Sequence, residues 1–329
     1  MEKIFLRIKI IVIICLVLFS FNGCVPRTQN KVVIYSSSDQ VRNSAFLEML
    51  SARFPEYNID IIFMPGGTHG SRLIAEGNNT HADISVGLEV SYLRQVRNIL
   101  ADLSEFDFRK PNFMPDLLDH ENNYFPWEII SCVVAVNYDL LNELQLPIPS
   151  SYEDLLDPKY NGLISMPNPR SSSAGHLFLA FFVDKLGEED AFDYFDKLAQ
   201  NVNQFQSAGS GVMTALINRD IAIGLTVLHN AVSELSRGSK FALTFFNEQA
   251  PSSLSGATLT KRGSRNKAAL GVFEYLINEV SIMDKQRFSP GRIFVDQVRS
   301  NDNYPIDVPY KLFILDQDSR DYLLDRWRF

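Results

Sequence analysis

Cysteine is nearly missing from this chain: three residues in 329, at Cys15, Cys24 and Cys132. The first two fall in or just after an apolar N-terminal run, so Cys132 alone remains for the body. An intrachain disulfide and a cysteine-ligated metal centre are both excluded by that count. Cys132 sits in IISCVVAV with no charged residue or histidine beside it, the setting of a buried small hydrophobe and not of an activated thiol. Basic clusters are missing too. Lys and Arg number 31 against 39 Asp and Glu, a formal charge of −8, which excludes the counterion-releasing surface of a non-specific nucleic-acid binder. The catalytic signatures G-x-S-x-G and H-E-x-x-H are absent, as are a P-loop and a dinucleotide fingerprint. The nearest glycine cluster, GGTHGS at 66–71, has the wrong spacing and no lysine. The paired carboxylates Glu188 and Glu189 open a helix, where they suit its dipole. No internal repeat, low-complexity tract or long charge run appears.

One apolar run does stand out. Lys3, Arg7 and Lys9 precede Ile10–Phe19, and Ser20, Phe21, Asn22, Gly23 and Cys24 follow. A basic start, a short apolar stretch and a small-residue exit describe a secretory leader over 1–23. The stretch is about half of the roughly 20 residues that span a bilayer. FNGC resembles the lipobox of bacterial lipoproteins, which implies lipidation at Cys24, with plain export as the alternative. Losing the leader removes three bases and one acid and takes the charge from −8 to −10.

After a polar spacer over 24–31, strands and helices alternate. Val32–Tyr35 is a β-branched run that breaks into serines, and Val41, Ala45, Phe46, Met49, Leu50 and Phe54 recur at helical spacing. Strands are expected at Ile59–Met64 and ADISVGL, with PGGTHGS a glycine-rich turn between Met64 and a helix beginning at Ser71. EIISCVVAVN, LISMPN, IAIGLTVLHN, FALTFFNE and SGATLTKRG read as further strands. NYDLLNEL, GEEDAFDYFDKLAQN, NKAALGVFEYLINEV and the C-terminus read as helices. The alternation predicts an α/β fold with a largely parallel sheet. The chain divides into one lobe of 32–128 plus 254–329 and another of 129–253. It crosses twice, near Glu128–Asn137 and Ser253–Leu259, and a cleft at the hinge is the expected ligand site.

Four polar loops fall at strand-to-helix turns: SSSDQ (36–40), PGGTHGS (65–71), SSSAGH (171–176) and QSAGSG (206–211). Such turns lie at the carboxyl ends of parallel strands, where ligands bind. A helix start offers free N–H groups and partial positive charge to an anion without any basic residue. Serine and threonine add hydroxyl donors, and glycine permits close approach of the backbone. The same residues are ordinary helix caps. A cap needs one hydroxyl, however, and Ser171–Ser173 offer three. His229 and Asn230, after the apolar strand, are the second candidate pair; a satisfied loop histidine is the alternative. His69 and His176 could each bond a ligand, His176 better fitting a helix face.

The ordered segments YSSS, PGGTHGS, NYDLL, YEDLLDPKYNGLI, NPRSSSAGHLFL and QSAGSGVMTAL resemble the ferric-type, family 1 extracellular solute-binding proteins of bacterial ABC importers. The resemblance covers nearly the whole body of the chain. It implies a two-lobe type II periplasmic-binding-protein fold and capture by lobe closure. A membrane permease and its ATPase would be partners, with no cofactor and no catalysis. Iron-binding members place adjacent tyrosines after the strand matching IAIGLTVLHN; this chain has His229–Asn230–Ala231 there and no Tyr-Tyr pair anywhere. The hydroxyl-rich loops resemble the branches that bind hexose phosphates or 2-aminoethylphosphonate. That implies an exported, lipid-anchored, monomeric binding protein. Ser36, Ser37, Ser38, Thr68 and Ser171–Ser173 would hold the phosphate, with the N–H groups of Ala174 and Gly175. His229 and Asn230 would read the organic part. Ferric iron held by dispersed tyrosines or a bridging anion is the rival cargo, and an extracytoplasmic hydrolase on this scaffold the rival class.

Overall fold

A computed structural model describes residues 30–109, 111–289, 291–298, 302–305, 308–314 and 316–329. The expected leader and Cys24 lie outside the described residues. The chain opens β1 (Lys31–Ser36), α1 (Gln40–Arg53), β2 (Asn58–Phe63), α2 (Gly66–Glu76), β3 (Ile84–Glu89), α3 (Val90–Gln95) and β4 (Phe125–Val136). Next come α4 (Tyr138–Glu143), β5 (Ile164–Pro167), α5 (Ser173–Leu186), α6 (Glu188–Leu198), β6 (Val202–Gln206), α7 (Gly209–Ile217), β7 (Ile223–Val227), α8 (Leu228–Ser236) and β8 (Ala242–Thr244). The chain closes with β9 (Ala250–Leu259), α9 (Lys267–Tyr275), a π-helical stretch at Leu276–Val280, α10 (Ser281–Arg287), β10 (Tyr310–Leu312) and α11 (Gln317–Arg326).

All ten strands join one sheet in the order β2-β1-β3-β9-β4-β7-β5-β6, with β10 beside β9 and β8 beside β4. Strands β1, β2 and β3 run parallel, as do β5, β6 and β7, so each group sends its carboxyl ends, and the loops that follow, to one side. Two antiparallel strands serve both groups. The first part of β4 pairs with β9 as far as Ser131↔Ser252, and from Cys132↔Val227 onward it pairs with β7. The far end of β9 pairs with β3. Every residue of β9 is buried although it reads APSSLSGATL, without apolar alternation. Its small side chains suit a strand crowded on both faces: a Cβ at Gly256 would sit 2.8 Å from both Leu93 and Tyr124.

Two main cores flank this crossing. The first gathers Ile34, Phe46, Leu50, Ile84, Trp127 and Phe273; the second gathers Tyr152, Phe178, Phe182, Tyr194, Phe195 and Trp327. Helix α5 belongs wholly to the second. Ala174–Phe182 are all buried, which is why its sequence shows no polar face. It stops at Gly187, whose φ of 83° favours glycine, and α6 then begins with Glu188, Glu189 and Asp190 against its positive end.

Four details depart from the sequence expectation. GGTHG is not a turn before a helix but the opening of α2 itself. Gly70 is required by packing, because its Cβ would fall 2.2 Å from the Tyr92 ring. His229 and Asn230 form the first turn of α8 and do not end the strand. The edge strand β6 has no apolar alternation to announce it. After the two expected passages, β4 and β9, the chain makes a third: Phe313, Leu323 and Trp327 pack into the second core, so 254–329 does not lie wholly in the first lobe as its sequence suggests.

Candidate functional site in the interlobe cleft

Below the cleft lies a buried ionic network that joins distant parts of the chain. Arg42, in the first turn of α1, donates from Nη1 to Glu128 of β4 (2.9 Å) and from Nη2 to Asp284 of α10 (2.7 Å). The Arg42 and Glu128 side chains are each 7% exposed and Asp284 is fully buried. Ser289 donates to the other Glu128 oxygen, and Lys285 lies 2.9 Å from Asp284. Burial works to raise the Glu128 pKa, but Arg42 and Lys285 outweigh it and hold the carboxyl well below the usual range. His229 feels the same charges. Burial lowers its pKa, against the pull of Glu128, so the ring facing the cleft is neutral at pH 7.

In the first lobe the serines that follow β1 have separate duties. Ser36 is buried; its hydroxyl donates to Asn43 Oδ1 (2.7 Å) and accepts from the Ser38 N–H (3.2 Å), so it braces the loop from inside. Ser37 is partly exposed, and its hydroxyl lies 2.8 Å from His69 Nδ1, while Ser85 lies 3.0 Å from Nε2. A neutral imidazole has one donor and one acceptor nitrogen, and burial followed by the nearby Arg72 pushes the His69 pKa down to about 3. Ser37 and Ser85 therefore face a ring that takes a proton from one and gives one to the other. The Ser38 hydroxyl is buried with no hydrogen-bond partner among the described residues, beside Gly87 and Trp127. Thr68 is exposed on the first turn of α2, whose Pro65 cap position supplies no side-chain bond.

In the second lobe three helix starts stand side by side. Ser171 Oγ donates to the Ser207 carbonyl (3.2 Å), tying the loop before α5 to the loop before α7. A Cβ at Gly209 would lie 3.4 Å from Asn230 Nδ2, which sets α7 against α8. None of these three helices has a side-chain cap bond. By contrast α1, α4, α9 and α11 are capped by Asp39, Asn137, Asn266 and Asp316. At α5 the cap position holds Ser172, which has a hydroxyl suited to the task and does not use it. The first intrahelical bond there runs from His176 N to Ser172 O, ahead of which come Ser173, Ala174 and Gly175. Gly175 is fixed by crowding, since its Cβ would lie 2.4 Å from the Pro167 carbonyl oxygen.

Thus the second-lobe residues expected at the site lie on adjacent helix starts, and Ser37 and Ser38 lie on the first-lobe side. A cavity of about 650 Å³ spans the two lobes, lined by Gln40 and Arg42 from one, and by Ser210, Thr214, His229 and Asn230 from the other; of the expected site residues its lining includes His229 and Asn230, and not Ser36–Ser38, Thr68 or Ser171–Gly175. Sequence reasoning missed Arg42, Glu128 and Asp284, which no local pattern links, and it missed Glu89, Tyr92 and Arg320, which meet where α11 reaches the first lobe. Among the described residues no group of three His, Cys, Asp or Glu is placed to hold a metal ion, and no helix is long and apolar enough to cross a membrane.

Comparison with known proteins gives consistent matches. The family described as bacterial extracellular solute-binding protein matches residues 88–316. A Haemophilus influenzae protein is 24% identical over 250 residues, 72% of this chain and 70% of its own length. A Salmonella typhimurium protein, described as a candidate 2-aminoethylphosphonate-binding periplasmic protein, is 29% identical over 155 residues, 47% of this chain and 43% of that one. Among solved structures, the periplasmic binding protein AfuA of Actinobacillus pleuropneumoniae, with fructose-6-phosphate bound, superposes with a TM-score of 0.76. It is 22% identical and covers 90% of this chain and 97% of that one. Iron-bound HitA of Pseudomonas aeruginosa gives 0.70 at 18% identity over 90% and 97%. These structures share the type II periplasmic-binding fold while holding different cargo, so the fold leaves the choice of ligand to the site.

Proposed function

This chain belongs to the bacterial extracellular solute-binding proteins, which bind small ligands and work with an ABC permease and its ATPase, and we propose that its cleft captures a small phosphorylated organic molecule, a hexose phosphate or a phosphonate. The carrying observation is the start of α5. Ser172 holds the cap position without capping, which leaves its hydroxyl, and the N–H groups of Ser173, Ala174 and Gly175, to an external oxyanion. Ser171, Ser173 and, across the cleft, Ser37, Ser38 and Thr68 add hydroxyls, while Ser36 positions Ser38 from behind. Neutral His229 and Asn230 offer hydrogen bonds to the organic part. The protein works exported and anchored by lipid at Cys24, as a monomer. Capture needs no catalytic group.

Calorimetry of the purified protein against glucose 6-phosphate, fructose 6-phosphate, 2-aminoethylphosphonate, inorganic phosphate and ferric citrate tests this. Micromolar or tighter binding of a phosphate ester or phosphonate is expected, with loss of binding and retention of the fold when Ser171–Ser173 are all replaced by alanine. Uptake of Fe(III) with a tyrosinate charge-transfer band and no phosphate-ester binding would sink the proposal in favour of iron. Turnover of the ester would favour a hydrolase. Retained affinity in the triple variant would reduce the loop to a helix start and nothing more.

A further inference from the structure

Outside the lining of the 650 Å³ cavity, the C-terminal helix α11 carries an arginine whose side chain is only 13% exposed and yet makes no close bond among the described residues. Leu323 and Trp327 anchor α11 in the second core. Arg320 turns the other way, toward the first lobe. Its Nη1 lies 3.9 Å from Glu89 Oε2, outside hydrogen-bond range, and its guanidinium carbon lies 5.5 Å from the centre of the Tyr92 ring. A guanidinium this far from solvent ordinarily ends in close, often bidentate, bonds to a carboxylate or carbonyl. Here its donors make no hydrogen bond to a described residue.

Its surroundings bring together the starts of three helices. Glu89 immediately precedes α3. The Tyr92 hydroxyl lies 3.7 Å from the Cβ position of Gly67, in the first turn of α2. On the second lobe His176, in the first turn of α5, is 5% exposed and has an unpartnered Nε2; burial and then the charge of Arg320 keep it neutral. Arg320 therefore stands across the Tyr92 ring from the start of α2, which bears Thr68, and it brings full positive charge to a grip otherwise built of hydroxyls and backbone dipoles.

We propose that Arg320 is a specificity-determining residue of this cleft: it rests loosely against Glu89 and Tyr92 and turns to the anionic group of the ligand on capture, selecting phosphoryl or phosphonyl dianions over neutral or singly charged analogues. The inference rests on the phosphate reading of the cleft. Glu89 is then a competitor for the guanidinium and not a ligand contact. A purely structural role, with Arg320 clasping the first lobe to the second through Glu89, uses the same atoms but predicts a different pattern of variants.

The test measures the affinity of wild type, Arg320→Gln, Arg320→Lys and Glu89→Gln for glucose 6-phosphate, fructose 6-phosphate, 2-aminoethylphosphonate and inorganic phosphate, at low and high salt. For whichever anion wild type binds, Arg320→Gln should weaken affinity by about tenfold or more and flatten its salt dependence, and Arg320→Lys should recover part of the loss. Glu89→Gln, which frees the guanidinium, should tighten affinity by about two- to fivefold. A clasp makes both neutralised variants move together, because each breaks the same pair, and that result would overturn the proposal. So would an Arg320→Gln protein of unchanged affinity. If wild type binds none of these anions, the phosphate reading itself falls and takes this inference with it. If wild type binds and Arg320→Gln matches it, only the inference falls. Should Arg320→Gln fail to fold, the opposite signs expected of Arg320→Lys and Glu89→Gln decide in its place.

Discussion

Lowering the pH from 7 to 5 should destabilise this protein, chiefly through two of the histidines held neutral inside it. His69 is fully buried between Ser37 and Ser85, and His176 is 5% exposed in the first turn of α5; burial, helped by Arg72 and Arg320 respectively, pushes both pKa values down to about 3. In the unfolded chain each titrates near 6.5. The folded pKa lies below the unfolded one, so the unfolded state binds more protons, and stability present above pH 6.5 drains away as pH falls toward 3. Between pH 7 and pH 5 each histidine contributes a loss of about 2 kcal/mol, and the pair about 4 kcal/mol, a large part of the roughly 5–15 kcal/mol that holds an ordinary domain folded. A carboxylate with a depressed pKa gives up only about 0.1 kcal/mol over the same window, because unfolded Asp and Glu stay ionised at pH 5. Urea unfolding followed by the fluorescence of Trp127 and Trp327, both buried, measures the difference. His69→Gln and His176→Gln should each be less stable than wild type at pH 7 while removing about 2 kcal/mol of the pH dependence, His229 retaining a share of its own in the same direction. A wild-type loss below about 1 kcal/mol, or a full loss surviving in the double variant, would refute the reasoning.

Other expectations are as concrete. Gly175→Ala places a methyl group 2.4 Å from the Pro167 carbonyl oxygen and should cost about 1–3 kcal/mol, seen as a lowered Tm together with weakened ligand capture. Arg42→Met strips the guanidinium from two buried carboxylates and should cost about 3–5 kcal/mol at neutral pH. The penalty should shrink in acid, where Glu128, released from the arginine that holds its pKa down, can take up a proton, and denaturation of both proteins at pH 7 and pH 4 checks this. Burial pushes the Cys132 thiol pKa far up, so a thiol reagent should leave the native protein unmodified and label it only on unfolding, as mass spectrometry would record.

The alternation of strands and helices was legible because β1, β4 and β7 are apolar runs and the helices between them carry periodic apolar residues. Strand β9 shows no such run, because at the crowded centre of the sheet size matters more than hydrophobicity. GGTHG looked like a turn since glycine normally marks one; the reason for Gly70 is the Tyr92 ring, 22 residues away in sequence and invisible without the fold. The serine loops could be found because residue type and chain position both point to a helix start. What no local pattern held was the division of labour among them: Ser36 turned inward, Ser37 bound to His69, and Ser172 left without a capping bond. Arg42 and Asp284 are 242 positions apart, and Arg320 meets Glu89 from the other end of the chain.

The sheet that runs unbroken through both lobes also constrains how they can move. Strands β4 and β9 are laced to each other by backbone bonds and by the Ser252–Ser131 hydroxyl contact of 2.8 Å, at the very point where β4 passes from one lobe to the other. A turn of one lobe against the other would have to wind or unwind this paired ribbon. Such a ribbon behaves as a torsion spring with a rest angle of its own, so a ligand that closes the lobes would have to supply the work of turning it. Replacing Ser131 or Ser252 by glycine would soften the spring while leaving every pocket residue in place, which separates the energy of gripping the cargo from that of shutting the jaw.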